Sequence, residues 1–257
     1  MLVSVIMPTY NCGKYIVDSI ESVINQTITD WEIYVVDDCS TDNTAEILKP
    51  YLDRYPNIHY YALEKNCGPA VARTEAIKRA KGKYIAFLDS DDIWYPCKLE
   101  KQIEFMEKNS IDFSCTAYEQ MDDMGIRLKV AICPPNRIDY RKCIFLSNPI
   151  GNLTVMYNQE SLGKFEVPLI KKRNDFALWL QILKKTRFCY GMQEILGIYR
   201  VGRAGSVSYN KLGQCKYHWM LYRNIEKHSW IRSVFEVLCW AFVKGTGTGI
   251  KKLRIKT

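Results

Sequence analysis

Four short apolar runs fall in the first ninety residues, at 2–7, 31–36, 58–63 and 84–88, and helical patterns separate them. Mostly apolar runs of this length, bounded by polar residues, read as strands buried on both faces. Between the first two, Ile16, Ile20, Val23 and Ile24 recur at helical spacing, which predicts an amphipathic helix over 14–26. Ser40, Thr41 and Asp42 offer caps for a second helix running to about Lys49, where Pro50 follows. Gly68-Pro69 opens a third helix over 70–80, with Gly82 just past its end. Strand and helix thus alternate into a parallel sheet with right-handed crossovers.

Carboxylates stop two of these runs. Asp37 and Asp38 end the second, and Asp89, Asp91 and Asp92 end the fourth. In an open α/β sheet the carboxyl ends of parallel strands share one edge, where ligands bind. Three like charges in four residues repel one another unless a cation sits among them. Hard oxygen donors suit magnesium or manganese. The plain alternative is a solvated turn with Asp92 capping the next helix.

The second half predicts a helix over 97–108, a strand over 111–118 and a hairpin or irregular loop over 121–135. A short helix over 139–146, a loop and strand over 148–157 and a helix over 176–184 follow. Short strands at 188–190 and 195–199 complete it. Asp175 stands just ahead of the 176–184 helix, where an N-cap is the ordinary reading.

Charge is uneven. Residues 211–257 hold ten Lys/Arg against two acids, the whole net charge of +8, and the preceding 210 residues are neutral. A nucleic-acid binder would carry a basic face on the fold itself, so none is expected as a partner. An apolar helix over 229–243, rich in aromatics and followed by a basic tail, suits either an anionic membrane interface or docking onto the core. No run approaches the ~20 apolar residues of a membrane span, and the N-terminus lacks a basic leader. Ten scattered cysteines with no C-x-x-C argue against a zinc site or disulfide framework and for a reducing cytoplasm. Glycine-cradle phosphate loops are absent, and none of the three histidines lies beside a nucleophile, so a general base should be a carboxylate.

Four motifs in order, Ser4-Val-Ile-Met-Pro-Thr-Tyr-Asn11, Val36-Asp-Asp-Cys-Ser-Thr-Asp-Asn-Thr44, Asn66-Cys-Gly-Pro-Ala-Val-Ala-Arg73 and Phe87-Leu-Asp-Ser-Asp-Asp92, resemble the family-2 glycosyltransferases. The resemblance implies the GT-A fold: a mostly parallel central sheet flanked by helices, here with a C-terminal helical extension. It implies a catalytic domain over 1–210, divided into a nucleotide-sugar half (1–95) and an acceptor half (96–210), with the extension over 211–257. By the same resemblance Pro8, Thr9 and Tyr10 would line the nucleotide pocket, Tyr10 against the base. Asp38 would accept from the base edge. Arg73, Asp89 and Ser90 would contact the nucleotide-sugar, Asp91 would ligate a divalent metal, and Asp175 would be the catalytic base. Two departures stand out. Asn174 precedes Asp175 where many relatives carry Glu, and 199–208 lacks the usual histidine, leaving Arg200 or Arg203 for the diphosphate. The implied activity is inverting transfer from a nucleotide-sugar, of the UDP class, to a lipid-linked saccharide in bacterial O-antigen or capsule assembly, at the inner face of the membrane. A sugar nucleotidyltransferase would need a glycine- and basic-rich loop after the first strand, and a non-catalytic binder would not need Asp38, Asp91 and Asp175 together.

Overall fold

The computed structural model describes residues 1–145, 148–202, 211–246 and 251–254. In chain order the first half is β1 (Val3–Thr9), α1 (Ile16–Ile24), β2 (Trp31–Asp37), α2 (Thr44–Arg54), β3 (Ile58–Ala62), α3 (Pro69–Arg79), β4 (Tyr84–Phe87), β5 (Ile93–Trp94) and α4 (Lys98–Lys108). It continues with β6 (Phe113–Met121), β7 (Arg127–Cys133), β8 (Arg137–Asp139), α5 (Tyr140–Phe145), β9 (Met156–Asn158), α6 (Gln159–Leu162), α7 (Asn174–Thr186) and β10 (Phe188–Arg200). The C-terminal elements are α8 (Lys211–Met220), a π-helical turn (Leu221–Ile225), α9 (Trp230–Thr246) and β11 (Lys251–Arg254).

The expected α/β architecture is present. Strand order β11-β7-β6-β9-β4-β1-β2-β3 runs across one mixed sheet. β1 is parallel to β2 and to β4, and β2 to β3. Every residue of β1 and β2 is buried, including Ser4 and Glu32, whose side chains hydrogen-bond each other at 2.5 Å. Alternate residues feed two cores: Val3, Val5 and Met7 face α1 and α4, whereas Ile6 joins Tyr34, Val36 and the inner faces of α3 and α7. Trp179 of α7 stands edge-on to Phe87 of β4 at 5.0 Å between centroids and lies 6.0 Å from Phe113 of β6. Such a wholly buried indole is worth several kcal/mol, about 3–5 on truncation to alanine. It fixes the helix that begins with Asn174 and Asp175 beneath the end of β4.

Local differences from the sequence reading have physical causes. α2 continues past Pro50 to Arg54; the helix lies mostly at the surface, so the missing N–H is not a buried loss. The two short strands at 188–200 are one strand, β10, whose pairing with β6 shifts register between Gly191 and Ile195 and again before Gly197. The 121–135 segment is a hairpin, β6 antiparallel to β7. Part of the basic tail is a strand: β11 pairs antiparallel with β7 and forms an edge of the sheet.

α9 docks by one face. Ser233, Glu236 and Trp240 are buried, and His218 of α8 packs on Trp240 with ring centroids 4.4 Å apart and planes tilted by 30°. Buried Glu236 accepts from Arg232 Nε at 2.8 Å and pairs with His228 Nδ1 at 2.7 Å. Glu226, just after the π turn, pairs with Lys184 Nζ of α7 at 2.7 Å and accepts from Tyr140 Oη of α5. The opposite face of α9 stays exposed: Ile231 is 78%, Phe242 69%, Trp230 and Leu238 63% and Phe235 58% accessible. The sequence left membrane contact and core docking as alternatives; docking takes one face only. No described helix is long and apolar enough to cross a membrane.

Candidate active site

The carboxyl edge of β4-β1-β2 collects most of the predicted residues. Thr9 lies opposite Asp37 in the β1–β2 register, and Asp38 N donates to Thr9 O at 2.9 Å. On the other flank Leu88 N donates to Ile6 O at 3.1 Å, so the Asp89–Asp92 turn leaves β4 alongside the end of β1. Pro8, Thr9 and Ser90 are buried, and Tyr10 is 44% exposed. Thr9 Oγ1 is buried without a protein hydrogen-bond partner. A buried hydroxyl at a ligand edge ordinarily finds a partner in water or ligand.

Asp37 and Asp38 divide their work. Asp37 is structural: Oδ1 accepts from Ser40 N and Oγ at 2.8 and 2.6 Å, and Oδ2 from the Tyr60 hydroxyl at 2.7 Å. Burial and this carboxylate push the Tyr60 phenol upward. Asp38 accepts from Cys67 N at 2.6 Å and Gly68 N at 2.8 Å, clamping the loop that enters α3. Gly68 needs a left-handed backbone there, φ 87°, and Pro69 starts the helix.

One turn into α3, Arg73 bridges the two halves of the site. Its guanidinium donates to Asp89 Oδ1 at 2.6 Å and to Asn174 Oδ1 at 2.6 Å, while Nε is buried without a partner. Asp89 therefore stands beside the start of α7. Asp175 is the second residue of that helix, not its N-cap; Arg173 holds the N-cap place with φ 67°. Asn148 Nδ2 lies 3.5 Å from Asp175 Oδ2. Sequence reading missed Asn148, because a loop asparagine carries no periodic or motif signal. It noted Asn174 only as a departure, yet a neutral acceptor suits a guanidinium already paired with Asp89.

The Asp91–Asp92 pair is held by Arg200. Asp92 is wholly buried rather than a helix cap; α4 starts after Cys97, with no side-chain cap. Asp92 Oδ1 accepts from Arg200 N at 3.0 Å. Burial first, then the Asp91 and Asp89 charges, raise its carboxyl well above the usual range. Arg200 Nε donates to Asp91 O at 3.0 Å, Nη1 to Asp122 O and Asp123 O at 3.5 and 3.4 Å, and Nη2 to Asp18 Oδ2 at 3.3 Å. With its side chain 4% accessible, Arg200 fastens the Asp91 turn to the tip of the β6–β7 hairpin. Those contacts do not present it as an open cation for a diphosphate. Arg203 lies outside the described residues.

Among the described residues no three His, Cys, Asp or Glu side chains form a metal-holding group. A divalent ion held by one or two carboxylates plus phosphate oxygens requires no such cluster. Asp89 and Asp91 are partly accessible oxygen donors at the edge, beside a buried third carboxylate, and that donor set fits magnesium or manganese. A groove of about 570 Å³ between α1 and α2, lined by Glu21, Tyr51, Arg54 and Tyr55, contains none of the predicted site residues.

Residues 4–161 match the family described as Glycosyl transferase family 2. The Bacillus subtilis protein named teichuronic acid biosynthesis glycosyltransferase TuaG is 43% identical over 98% of this chain and 97% of its own. WfgD of Escherichia coli, named UDP-Glc:alpha-D-GlcNAc-diphosphoundecaprenol beta-1,3-glucosyltransferase, is 40% identical over 85% of this chain and 84% of its own. Among solved structures, Staphylococcus aureus TarS 1–349 in complex with UDP-GlcNAc superposes with a TM-score of 0.69 at 22% identity. It covers 92% of this chain and 70% of that one.

Proposed function

The chain belongs to glycosyl transferase family 2 and has the GT-A fold; on that premise we propose an inverting, metal-dependent transferase acting from a UDP-sugar onto a hydroxyl of a lipid-linked saccharide, in bacterial surface-polysaccharide assembly. The observation that carries this reading is the Arg73 bridge, which joins the donor-side Asp89 to the residue preceding Asp175. Support for the donor and acceptor classes comes from what WfgD is named for.

Tyr10 offers a ring for a base, while Pro8, Thr9 and Ser90 wall the nucleotide pocket. Asp38 keeps its clamp on the α3 entry loop and has lone pairs left for the base edge. Asp91 would hold the divalent ion, with Asp89 toward the ribose or a metal-bound water. Such an ion would supply positive charge to offset the charge that builds on the leaving group. Asp175 takes the proton from the acceptor hydroxyl as it attacks the anomeric carbon from the face opposite the leaving UDP. A positioned base of this kind contributes about 10²–10⁴-fold. The acceptor half is 96–210, and 211–257 is a peripheral membrane extension whose exposed α9 face meets the anionic inner leaflet. The test is transfer from UDP-glucose and UDP-N-acetylglucosamine to a diphosphate-linked saccharide, with the anomeric configuration of the product read by NMR. Retained configuration, or no turnover of any nucleotide-sugar, overturns the proposal.

A further inference from the structure

A second exposed apolar surface lies at the edge of the sheet. The β6–β7 hairpin tip carries Met124 at 79% and Ile126 at 64% exposure, with Leu128 at 40% on β7. Beside them β11 presents Leu253 at 42%. Arg127, Lys129, Lys252 and Arg254 are exposed along the same two strands.

The acids nearby are held in local pairs. Asp122 Oδ1 accepts from Met124 N and Ile126 N at 2.9 and 2.8 Å. Asp123 pairs with Lys14 at 2.8 Å and accepts from the Tyr15 hydroxyl. Glu119 pairs with Arg127 at 2.9 Å. With those acids engaged locally, Met124, Ile126, Lys129, Lys252 and Arg254 are left as exposed apolar and basic side chains around the tip and edge. Lysine and arginine on an edge strand ordinarily guard against strand pairing. That role explains Lys252 and Arg254, but not a methionine and an isoleucine held in solvent at the tip of a tight turn.

β11 runs antiparallel to β7, so Arg254 is its end toward the hairpin tip. The strip between them is about 20 Å long at the usual rise per residue. At its far end Arg200 ties the carbonyls of Asp122 and Asp123 to that of Asp91.

We propose that the hairpin tip, Met124 and Ile126, together with the basic edge residues Lys129, Lys252 and Arg254, is a second contact with an anionic bilayer, which sets the active-site edge at the membrane surface. Apolar side chains at the headgroup boundary with basic residues around them are the composition such binding requires. The functional consequence rests on the transferase reading above; the contact itself does not.

Full-length protein is sedimented with vesicles of phosphatidylcholine and phosphatidylglycerol at 3:1, and with phosphatidylcholine alone. Wild type is expected to bind the anionic vesicles and to be released by high salt. Met124→Ser/Ile126→Ser is expected to weaken binding about tenfold, as is Lys252→Gln/Arg254→Gln. Melting temperature and UDP-sugar hydrolysis in solution should stay as in wild type, because these side chains are exposed and outside the site. An Ile231→Ser/Phe242→Ser protein tests the α9 face separately. Unchanged binding by either strip variant overturns the proposal. So does a dimer in light scattering that Lys252→Gln/Arg254→Gln abolishes, since a second copy would then occupy the edge. Because vesicle binding is read without turnover, absence of transferase activity would sink the functional reading and leave this result standing.

Discussion

Replacing Arg73 with methionine tests the bridge across the site. Arg73 is 7% exposed, and its two 2.6 Å hydrogen bonds join β4 to α7. Removing one partner of a buried pair costs about 3–5 kcal/mol. Asp89 keeps 27% side-chain accessibility and can rehydrate, and methionine fills most of the stem's volume. The expected loss is therefore lower, about 2–3 kcal/mol. For a chain of this size that lowers Tm by about 5–10 °C. Function should suffer more. Without the bridge, Asp89 and the first turn of α7 are no longer referenced to each other, and a misplacement of about 1 Å can cost 10²-fold in rate. Arg73→Lys keeps a charge but not the fork that reaches both acceptors, so it should recover part of the Tm and little of the rate. Calorimetry and a UDP-release assay read the two effects. A methionine variant with wild-type Tm and wild-type turnover would refute the bridge.

Two further outcomes follow from the site and from the extension. Asp91→Ala should lose the metal-dependent part of UDP-sugar affinity by titration calorimetry; equal binding with and without magnesium or manganese in wild type would remove Asp91 as a ligand. His218 is buried against Tyr222, Phe176 and Trp240, and burial, with Arg173 and Lys244, pushes its pKa down to about 2. Its neutral form is the folded one, so its stabilisation is complete above about pH 6.5 and is lost as pH falls. The slope is about 1.4 kcal/mol per unit, or about 2 kcal/mol by pH 5. His218→Phe should flatten that part of the stability profile; an identical slope in the variant would contradict it.

Much of the donor edge was legible in the sequence because its signals are local. Apolar runs stopped by Asp38 and Asp89 give both the strand and the end of the strand that matters. What escaped reading depends on distant partners. Nothing near Asn174 announces that it accepts from Arg73, a hundred residues earlier, or that Asn148 reaches Asp175 from a loop. Asp92 looked like a cap because capping is the commonest fate of an aspartate before a helix. Its burial is decided by Arg200, which arrives on β10. Residues 188–200 looked like two strands because Gly191, Gln193 and Glu194 interrupt the apolar pattern, although β10 pairs with β6 on both sides of that interruption. The strand at 251–254 was hidden by its own charge, which is ordinary for an exposed edge.

The central claim is that Asp175 is the base for transfer from a UDP-sugar, and Asp175→Asn tests it most directly. Asparagine preserves shape and the contact with Asn148 but cannot take the acceptor's proton. Transfer should fall by about 10²–10⁴-fold, while UDP-sugar affinity by calorimetry stays within about twofold of wild type. Transfer at the wild-type rate would contradict the assignment of the base, and with it the account of how this site works.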